Sequence, residues 1–248
     1  MNALTVEGLT KTYPSFTLDN VSFSLGQGRI MGLIGKNGAG KTTTLKAILN
    51  LISPDSGAIE ILGLPCPENE MVCKQKMGVV LGGIDFYRDK RLAAITDVTR
   101  RFYPSWEEDA YRRYLAEFSL EPDKRVRELS AGMRVKYLIA LALSHHAELF
   151  LFDEPTSGLD PVSRDELLTL FRALVADGTR SILYSTHITS DLEKCADDIT
   201  YIKDGKILIS AEKSVFLSSF QHLRAPTDTG PLTLEDIMVR TERREFHV

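Results

Sequence analysis

Apolar positions in the first third of the chain fall in short runs rather than in helical stripes. Leu4 to Val6, Leu18 to Leu25 and Arg29 to Ile34 read as strands, with Gly26 and Gly28 punctuating the last two. Gly57 and Gly63 bracket a further short run. From Lys41 the period changes, and Leu45, Ile48, Leu49 and Ile52 recur at helical spacing, predicting a helix over 41–51. Leu81 to Lys136 is different again: strand signals are few, charges are dense, and helices are predicted around Leu92 to Phe102 and Trp106 to Phe118. Then come a helix from Met133 to Leu143, a fully apolar strand from Leu149 to Phe152, a helix from Asp165 to Val175 and a strand from Ser181 to Tyr184. Helix and strand alternating on this scale predict an α/β fold with a parallel sheet. Asp204-Gly205 between Ile199 to Ile202 and Lys206 to Ile209 is a hairpin signal. Residues 222–231 read as a turn-rich linker and 232–244 as one short helix.

Composition narrows the class of protein more than its chemistry. At about 150 residues per domain, 248 residues allow one large domain with an attached lobe or two separate domains. A chain that is 43% hydrophobic and 26% charged is an ordered, soluble globule. A net charge of -4 gives no general attraction to nucleic acid or anionic lipid. The most apolar stretch, Leu138 to Phe152, is interrupted by Ser144, His145, His146 and Glu148, short of the roughly 20 residues that cross a bilayer. The first residues lack the basic head and apolar region of a signal peptide. Cys66, Cys73 and Cys195 form no CxxC pair and read as reduced thiols of a cytoplasmic protein. His145-His146 reads as a polar helix end rather than a metal site.

Three segments carry chemistry. Gly35-Lys36-Asn37-Gly38-Ala39-Gly40-Lys41-Thr42 fits GxxxxGK[ST] between a predicted strand and a predicted helix. Its glycines allow a loop whose backbone N–H groups, with the helix dipole, cradle phosphate. Lys41 can reach the terminal phosphates and Thr42 can ligate Mg²⁺. In the second segment, four apolar residues deliver Asp153 and Glu154 to the C-terminal end of a buried strand, where α/β sheets place ligands. Asp153 suits the Mg²⁺ site and Glu154 a general base for water, unless the two are only a solvated strand end. The third segment, Leu129 to Met133, offers Ser130 as a helix N-cap with Gly132 leaving the backbone open. It is either a plain capped helix or a second anion site, completed across a symmetric pair of chains.

Together with LFLFDEPTSGLDP and Ser185-Thr186-His187, these segments resemble the ATP-binding cassette of ABC transporters, over about Leu4 to Ser210. The resemblance implies a P-loop NTPase core with a mixed, mainly parallel sheet, an N-terminal antiparallel β subdomain and an inserted helical subdomain. It places the ATP-binding domain at 1–218, the helical insertion at about 85–136 and a short tail at 219–248. It also implies residue roles. Tyr13 would stack on adenine, although a strand-end aromatic is the alternative. Gly35, Asn37, Gly38, Ala39, Gly40, Lys41, Thr42 and Thr43 would hold the phosphates, with Thr42 and Asp153 on Mg²⁺. Glu154 would be the catalytic carboxylate, and His187 would sense the γ-phosphate and hold the attacking water. Ser130 and Gly132 would contact the γ-phosphate bound by a partner subunit, and Asp160 would bridge the two subunits.

Two departures stand out. Ala131 and Met133 replace a glycine and a glutamine of the usual LSGGQ signature. Gly82-Gly83 stand where a glutamine usually links the site to the membrane partner. The implied function is ATP hydrolysis, with ATP and Mg²⁺, by one of two cassette subunits, the same chain or a paralogue. They would drive a separate transmembrane permease from the cytoplasmic face of the membrane. Similarity to exporter subunits points to export. The competing readings are a soluble cassette ATPase working on ribosomes or nucleic acid, and a weakly hydrolysing regulatory module. A single P-loop, the absence of a heptad array, and retained Glu154 and His187 count against them, and no nucleic acid is expected as a partner.

Overall fold

The computed structural model describes residues 1–81, 87–225, 228 and 230–243. Gly82-Gly83, the departure noted above, lies outside them. Two sheets organise the described residues. The first is antiparallel, with strand order β2-β1-β4-β5, built from β1 (Asn2–Tyr13), β2 (Phe16–Gly26), β4 (Ser56–Ile61) and β5 (Leu64–Cys66). The second has order β10-β9-β3-β8-β7-β6, from β3 (Ile30–Ile34), β6 (Met77–Val80), β7 (Leu149–Asp153), β8 (Ser181–Ser185), β9 (Asp198–Lys203) and β10 (Lys206–Glu212). All of its pairings are parallel except the β9–β10 hairpin.

Every residue of β3, β7 and β8 is buried. Such strands lose the polar alternation of a half-exposed sheet and read as continuous apolar runs. Their side chains still alternate between faces. Ile30, Ile34, Phe150, Phe152, Ile182 and Tyr184 enter one core. Met31, Leu33, Leu149, Leu151 and Leu183 enter the other. The first core is closed by α5 (Ala131–Ser144), α6 (Pro161–Val175), α7 (Thr189–Cys195), α8 (Lys213–Ser219) and α9 (Leu234–Glu242). The second is closed by α1 (Lys41–Ile48) and the antiparallel sheet.

Between β6 and β7 the chain forms α3 (Leu92–Thr99), α4 (Glu108–Glu117) and α5. The Thr96 hydroxyl, buried among these three helices, lies 2.7 Å from the Tyr111 hydroxyl and 2.9 Å from that of Tyr137. Tyr137 in turn donates to the Leu92 carbonyl at 3.0 Å. A polar cluster satisfied in this way tolerates full burial and fixes one packing of the helices.

Several elements differ in extent from the sequence expectation. β1 continues well beyond Val6 because Gly8, at φ 59°, absorbs a register shift between Val6 and Leu9. α1 stops at Ile48, and Asn50 follows in the left-handed region at φ 53°. α6 starts at Pro161 because the Asp160 carboxylate accepts the N–H groups of Val162 and Ser163, both at 3.0 Å, with proline at the first helical position. The short helices α2 (Glu70–Gln75), α7 and α8 and the three-residue β5 had no expectation at all.

After α8, Leu223, Leu232, Leu234, Ile237 and Met238 pack on the first core. α9 opens with a Thr233–Asp236 capping box and buries Leu234 and Ile237. Asp228 forms a bidentate pair with Arg240, at 2.6 and 2.8 Å. No helix among the described residues is long and apolar enough to cross a membrane.

Candidate nucleotide-binding site

The glycine-rich segment joins β3 to α1, so its backbone wraps the N-terminus of a helix at the C-terminal end of a central strand. Gly35, Gly38 and Gly40 all have positive φ, at 155°, 84° and 117°. Their packing differs. A Cβ on Gly35 would meet the Ile202 carbonyl oxygen at 2.3 Å, and one on Gly40 would meet Ile202, Leu18 and Phe16 at 3.0 to 3.1 Å. At Gly38 nothing among the described residues lies within 4 Å of that position. Two glycines therefore seat the loop on β9 and β2, while the third shapes its open side.

Lys41 is buried, with only 7% of its surface exposed. Its ammonium donates to the Gly35 carbonyl at 2.7 Å and the Lys36 carbonyl at 3.3 Å, and lies 4.0 Å from a Glu154 oxygen. Burial lowers its pKa below the ordinary lysine value, opposed by the charges of Glu154 and Asp153. An ammonium held by carbonyl dipoles can exchange them for phosphate oxygens, a charge-assisted and stronger bond.

Thr42 begins the next layer. Its hydroxyl donates to one Asp153 oxygen at 3.0 Å, and the Ser185 hydroxyl donates to the other. Asp153 ends β7 and Ser185 ends the neighbouring β8, paired directly in register. Glu154 follows in the left-handed region at φ 51°, with its N–H bonded to the Ser185 carbonyl at 2.9 Å. The two carboxylates take different hydroxyl partners, Thr42 and Ser185 for Asp153 and Thr186 for Glu154. One Glu154 oxygen lies 2.8 Å from Nδ1 of His187, and the Thr186 hydroxyl donates to it at 3.4 Å. A cavity of about 470 Å³ is lined by Asn37, Gly38, Gly40, Lys41, Thr42, Thr43 and Glu154, together with Ser15 and Phe16.

The remaining residues singled out in the sequence lie elsewhere. Ser130 caps α5, accepting the Met133 N–H at 3.2 Å. A Cβ on Gly132 would make ordinary contacts with Ser163 and Leu159 at 3.6 and 3.8 Å, so the chain's own packing does not demand glycine there. Asp160 is exposed at the start of α6, and its cap contacts hold its carboxyl below the usual aspartate range. Tyr13, 37% exposed, ends β1 opposite Phe16 at the tip of the β1–β2 hairpin. The aromatic lining the cavity is Phe16, which sequence reasoning passed over.

Also missed was the support beneath the loop. The Gly205 N–H donates to the Ala39 carbonyl at 3.0 Å, and the Gly205 carbonyl accepts from Asp19 N–H at 2.8 Å. Lys36 pairs with Asp204 at 2.9 Å and with Glu242 of α9 at 3.4 Å. Glu242 also accepts from the buried Tyr201 hydroxyl at 2.9 Å. The hairpin signal at Asp204-Gly205 was legible, but its closure onto the loop is a long-range contact with no local signature.

Comparison with known proteins agrees with this geometry. The family model described as ABC transporter matches residues 18–157. The bacitracin transport ATP-binding protein BcrA of Bacillus licheniformis is 35% identical over 203 residues, covering 81% of this chain and 66% of that protein. The Nod factor export ATP-binding protein I of Paraburkholderia xenovorans (strain LB400) is 32% identical over 223 residues, covering 88% of this chain and 73% of its own length. The chain thus spans about two thirds of the length of the curated relatives it matches. A solved structure of an ATP binding subunit of an ABC transporter superposes with a TM-score of 0.83 at 28% identity, over 97% of this chain and 100% of the other. The chain belongs to the ABC transporter family, among its ATP-binding proteins.

Proposed function

We propose that this chain is the ATP-hydrolysing subunit of an ABC exporter, working as one of two cassettes on a separate membrane permease. The observation that carries this reading is the convergence of Lys41, Thr42, Asp153, Glu154 and His187 at one end of the parallel sheet. Backbone N–H groups of residues 35–43 and the Lys41 ammonium would hold the phosphates, with Thr43 toward the α-phosphate. Tyr13 would stack on adenine at the rim, beside Phe16. The Thr42 hydroxyl and Asp153 carboxylate are hard oxygen donors already 3.0 Å apart, a donor set that fits Mg²⁺. Bound there, the ion would supply charge neutralisation for the transferring phosphoryl group.

Glu154 would accept a proton from water as the water oxygen bonds to the γ-phosphorus and the bond from phosphorus to the β–γ bridging oxygen breaks. His187, in contact with the same carboxylate, orients that water from the opposite side. Ser130 caps α5 and Gly132 lies in its first turn, and among the described residues this helix does not line the cavity of its own chain. We assign the two residues to the γ-phosphate of a partner cassette, with Asp160 at the seam between subunits. Domain limits follow: 1–218 for the cassette, with 85–136 as its helical insertion, and 219–248 as a tail.

The permease would dock at a second, largely apolar cleft of about 410 Å³ between the end of α1, β6 and the helical insertion, lined by Leu51, Met77, Leu81, Ile95, Tyr103 and Leu138 among others. Attachment there would hold the subunit at the cytoplasmic face of a membrane. Relatives named for bacitracin transport and Nod factor export support the direction proposed. The test is Mg²⁺-dependent phosphate release by the purified chain. Glu154→Gln should reduce it by orders of magnitude while ATP still binds. Equal hydrolysis by the variant sinks the assignment.

A further inference from the structure

Outside the nucleotide site, a pair of cysteine side chains among the described residues stands in contact. The Cys66 thiol ends β5, and the Cys73 thiol projects from α2. Their sulfurs lie 3.1 Å apart, with the Cys66 S–H donating to Cys73. That is about 1 Å more than a sulfur–sulfur bond, a gap that small side-chain rotations close. Cys66 is partly exposed and Cys73 is buried. Cys195, buried elsewhere in the other core, is free.

We propose that Cys66 and Cys73 form a redox modification site, which a peroxide-class oxidant converts to an intrachain disulfide stapling α2 to β5. Accessibility sets the order of events. The Cys66 thiol first gives its proton to solvent; the thiolate attacks one peroxide oxygen, the O–O bond breaks, and Cys66 becomes a sulfenic acid as hydroxide leaves and takes up a proton. The Cys73 sulfur then displaces the hydroxyl from Cys66. The S–S bond forms, the S–O bond breaks, and the hydroxyl leaves as water with the Cys73 proton. Two thiols have lost two electrons, and one peroxide has become two waters. An added dithiol reductant reverses the change by exchange.

Burial, reinforced by the hydrogen bond to Cys73, pushes the Cys66 thiol up to about 12. Cys66 therefore rests as a neutral thiol and reacts more slowly than an exposed thiolate. What the staple constrains is specific. α2 is also held through Glu70, which accepts from Asn50 at 2.9 Å just beyond α1, and its Lys74 lines the apolar cleft beside β6. Oxidation therefore fixes one wall of that cleft to the antiparallel sheet.

The test uses the full purified chain treated with hydrogen peroxide, then denatured, alkylated and digested with trypsin. No Lys or Arg separates Cys66 from Cys73, so both fall in one peptide. The expected product is that peptide two hydrogens lighter with neither cysteine alkylated, while Cys195 remains alkylatable and dithiothreitol restores both sites. Oxidation of the exposed Met71 in the same peptide adds an oxygen and is told apart by mass. In Cys73→Ser, Cys66 should instead accumulate as a dimedone-trappable sulfenic acid and proceed to sulfinic acid. The oxidised wild type should melt at a higher temperature than the oxidised Cys66→Ser variant. The proposal is overturned if both cysteines stay alkylatable, or if wild-type Cys66 gains oxygens while Cys73 stays free.

Discussion

Nδ1 of His187 lies 2.8 Å from a carboxylate oxygen of Glu154, and that same carboxylate's other oxygen lies 4.0 Å from the Lys41 ammonium. The glutamate is thus flanked on one side by the phosphate-binding lysine and on the other by an imidazole. Its backbone is set in the left-handed region and tied to the Ser185 carbonyl, which fixes where its side chain starts. His187 itself is about half exposed, so its side chain faces the opening rather than the core.

Removing His187 should therefore affect chemistry more than binding. For His187→Ala we expect single-turnover phosphate release to fall about 10²-fold, the cost of misplacing the attacking water. ATP affinity should stay within a few-fold, since the phosphate loop is untouched. Parallel nucleotide titration and rapid-quench measurements decide it; an equal loss in both would mean that His187 only braces the fold.

Much of this site was legible because its parts are local. The glycine spacing at 35–42, the apolar run delivering Asp153 and Glu154, and the capping residue Ser130 each depend on neighbours in sequence. Parallel strands β3, β7 and β8 were equally plain, since burial on both faces writes itself as unbroken apolar residues. What stayed hidden depends on distant contacts. Phe16 reaches the cavity through the β1–β2 hairpin, and Gly205 supports Ala39 from the far end of the chain. Short helices such as α2 and α7 have too few turns to show a period, and tertiary packing decides them.

Gly205 makes that hidden support testable. Its φ is 81°, and a Cβ there would sit 1.9 Å from the Thr17 carbonyl oxygen. Neither the turn nor β2 can absorb that overlap without moving the Ala39 contact. Gly205→Ala should destabilise the chain by about 2 to 4 kcal/mol, combining left-handed strain with a backbone clash. It should also weaken ATP binding, although Gly205 lies outside the cavity lining. Chemical denaturation and nucleotide titration measure the two effects; an unchanged ATP affinity in folded variant would detach the hairpin from the loop.

Ser130 separates a capping role from an intersubunit one. Ser130→Ala should cost about 1 kcal/mol of stability through the lost bond to Met133 N–H. Ser130→Arg, combined with Glu154→Gln to trap ATP, should remain monomeric in size-exclusion chromatography with Mg²⁺-ATP, where Glu154→Gln alone dimerises. Dimers of equal stability in the double variant would rule out the shared site.

His145 predicts a pH dependence remote from the chemistry. It is 3% exposed, its ring stacks on Tyr103 at a centroid distance of 3.7 Å, and Nδ1 lies 3.1 Å from the Gln75 carbonyl, to which it can only donate. Burial pulls its pKa down to about 4 from an ordinary value of 6.5, against the opposing pull of the Gln75 carbonyl. The fold therefore favours the neutral imidazole, and between those two values the unfolded chain binds more protons. The contribution is complete above about pH 6.5, declines as pH falls, and is gone below about pH 4, a span of roughly 3 kcal/mol. Carboxylates titrate in the lower part of that window, so the measurement is a difference. Stability of the wild type minus that of His145→Gln, from denaturant melts, should shrink steadily as pH falls from 6.5 to 5. Parallel pH slopes for the two proteins would show that His145 charges in the folded state as readily as in the unfolded chain.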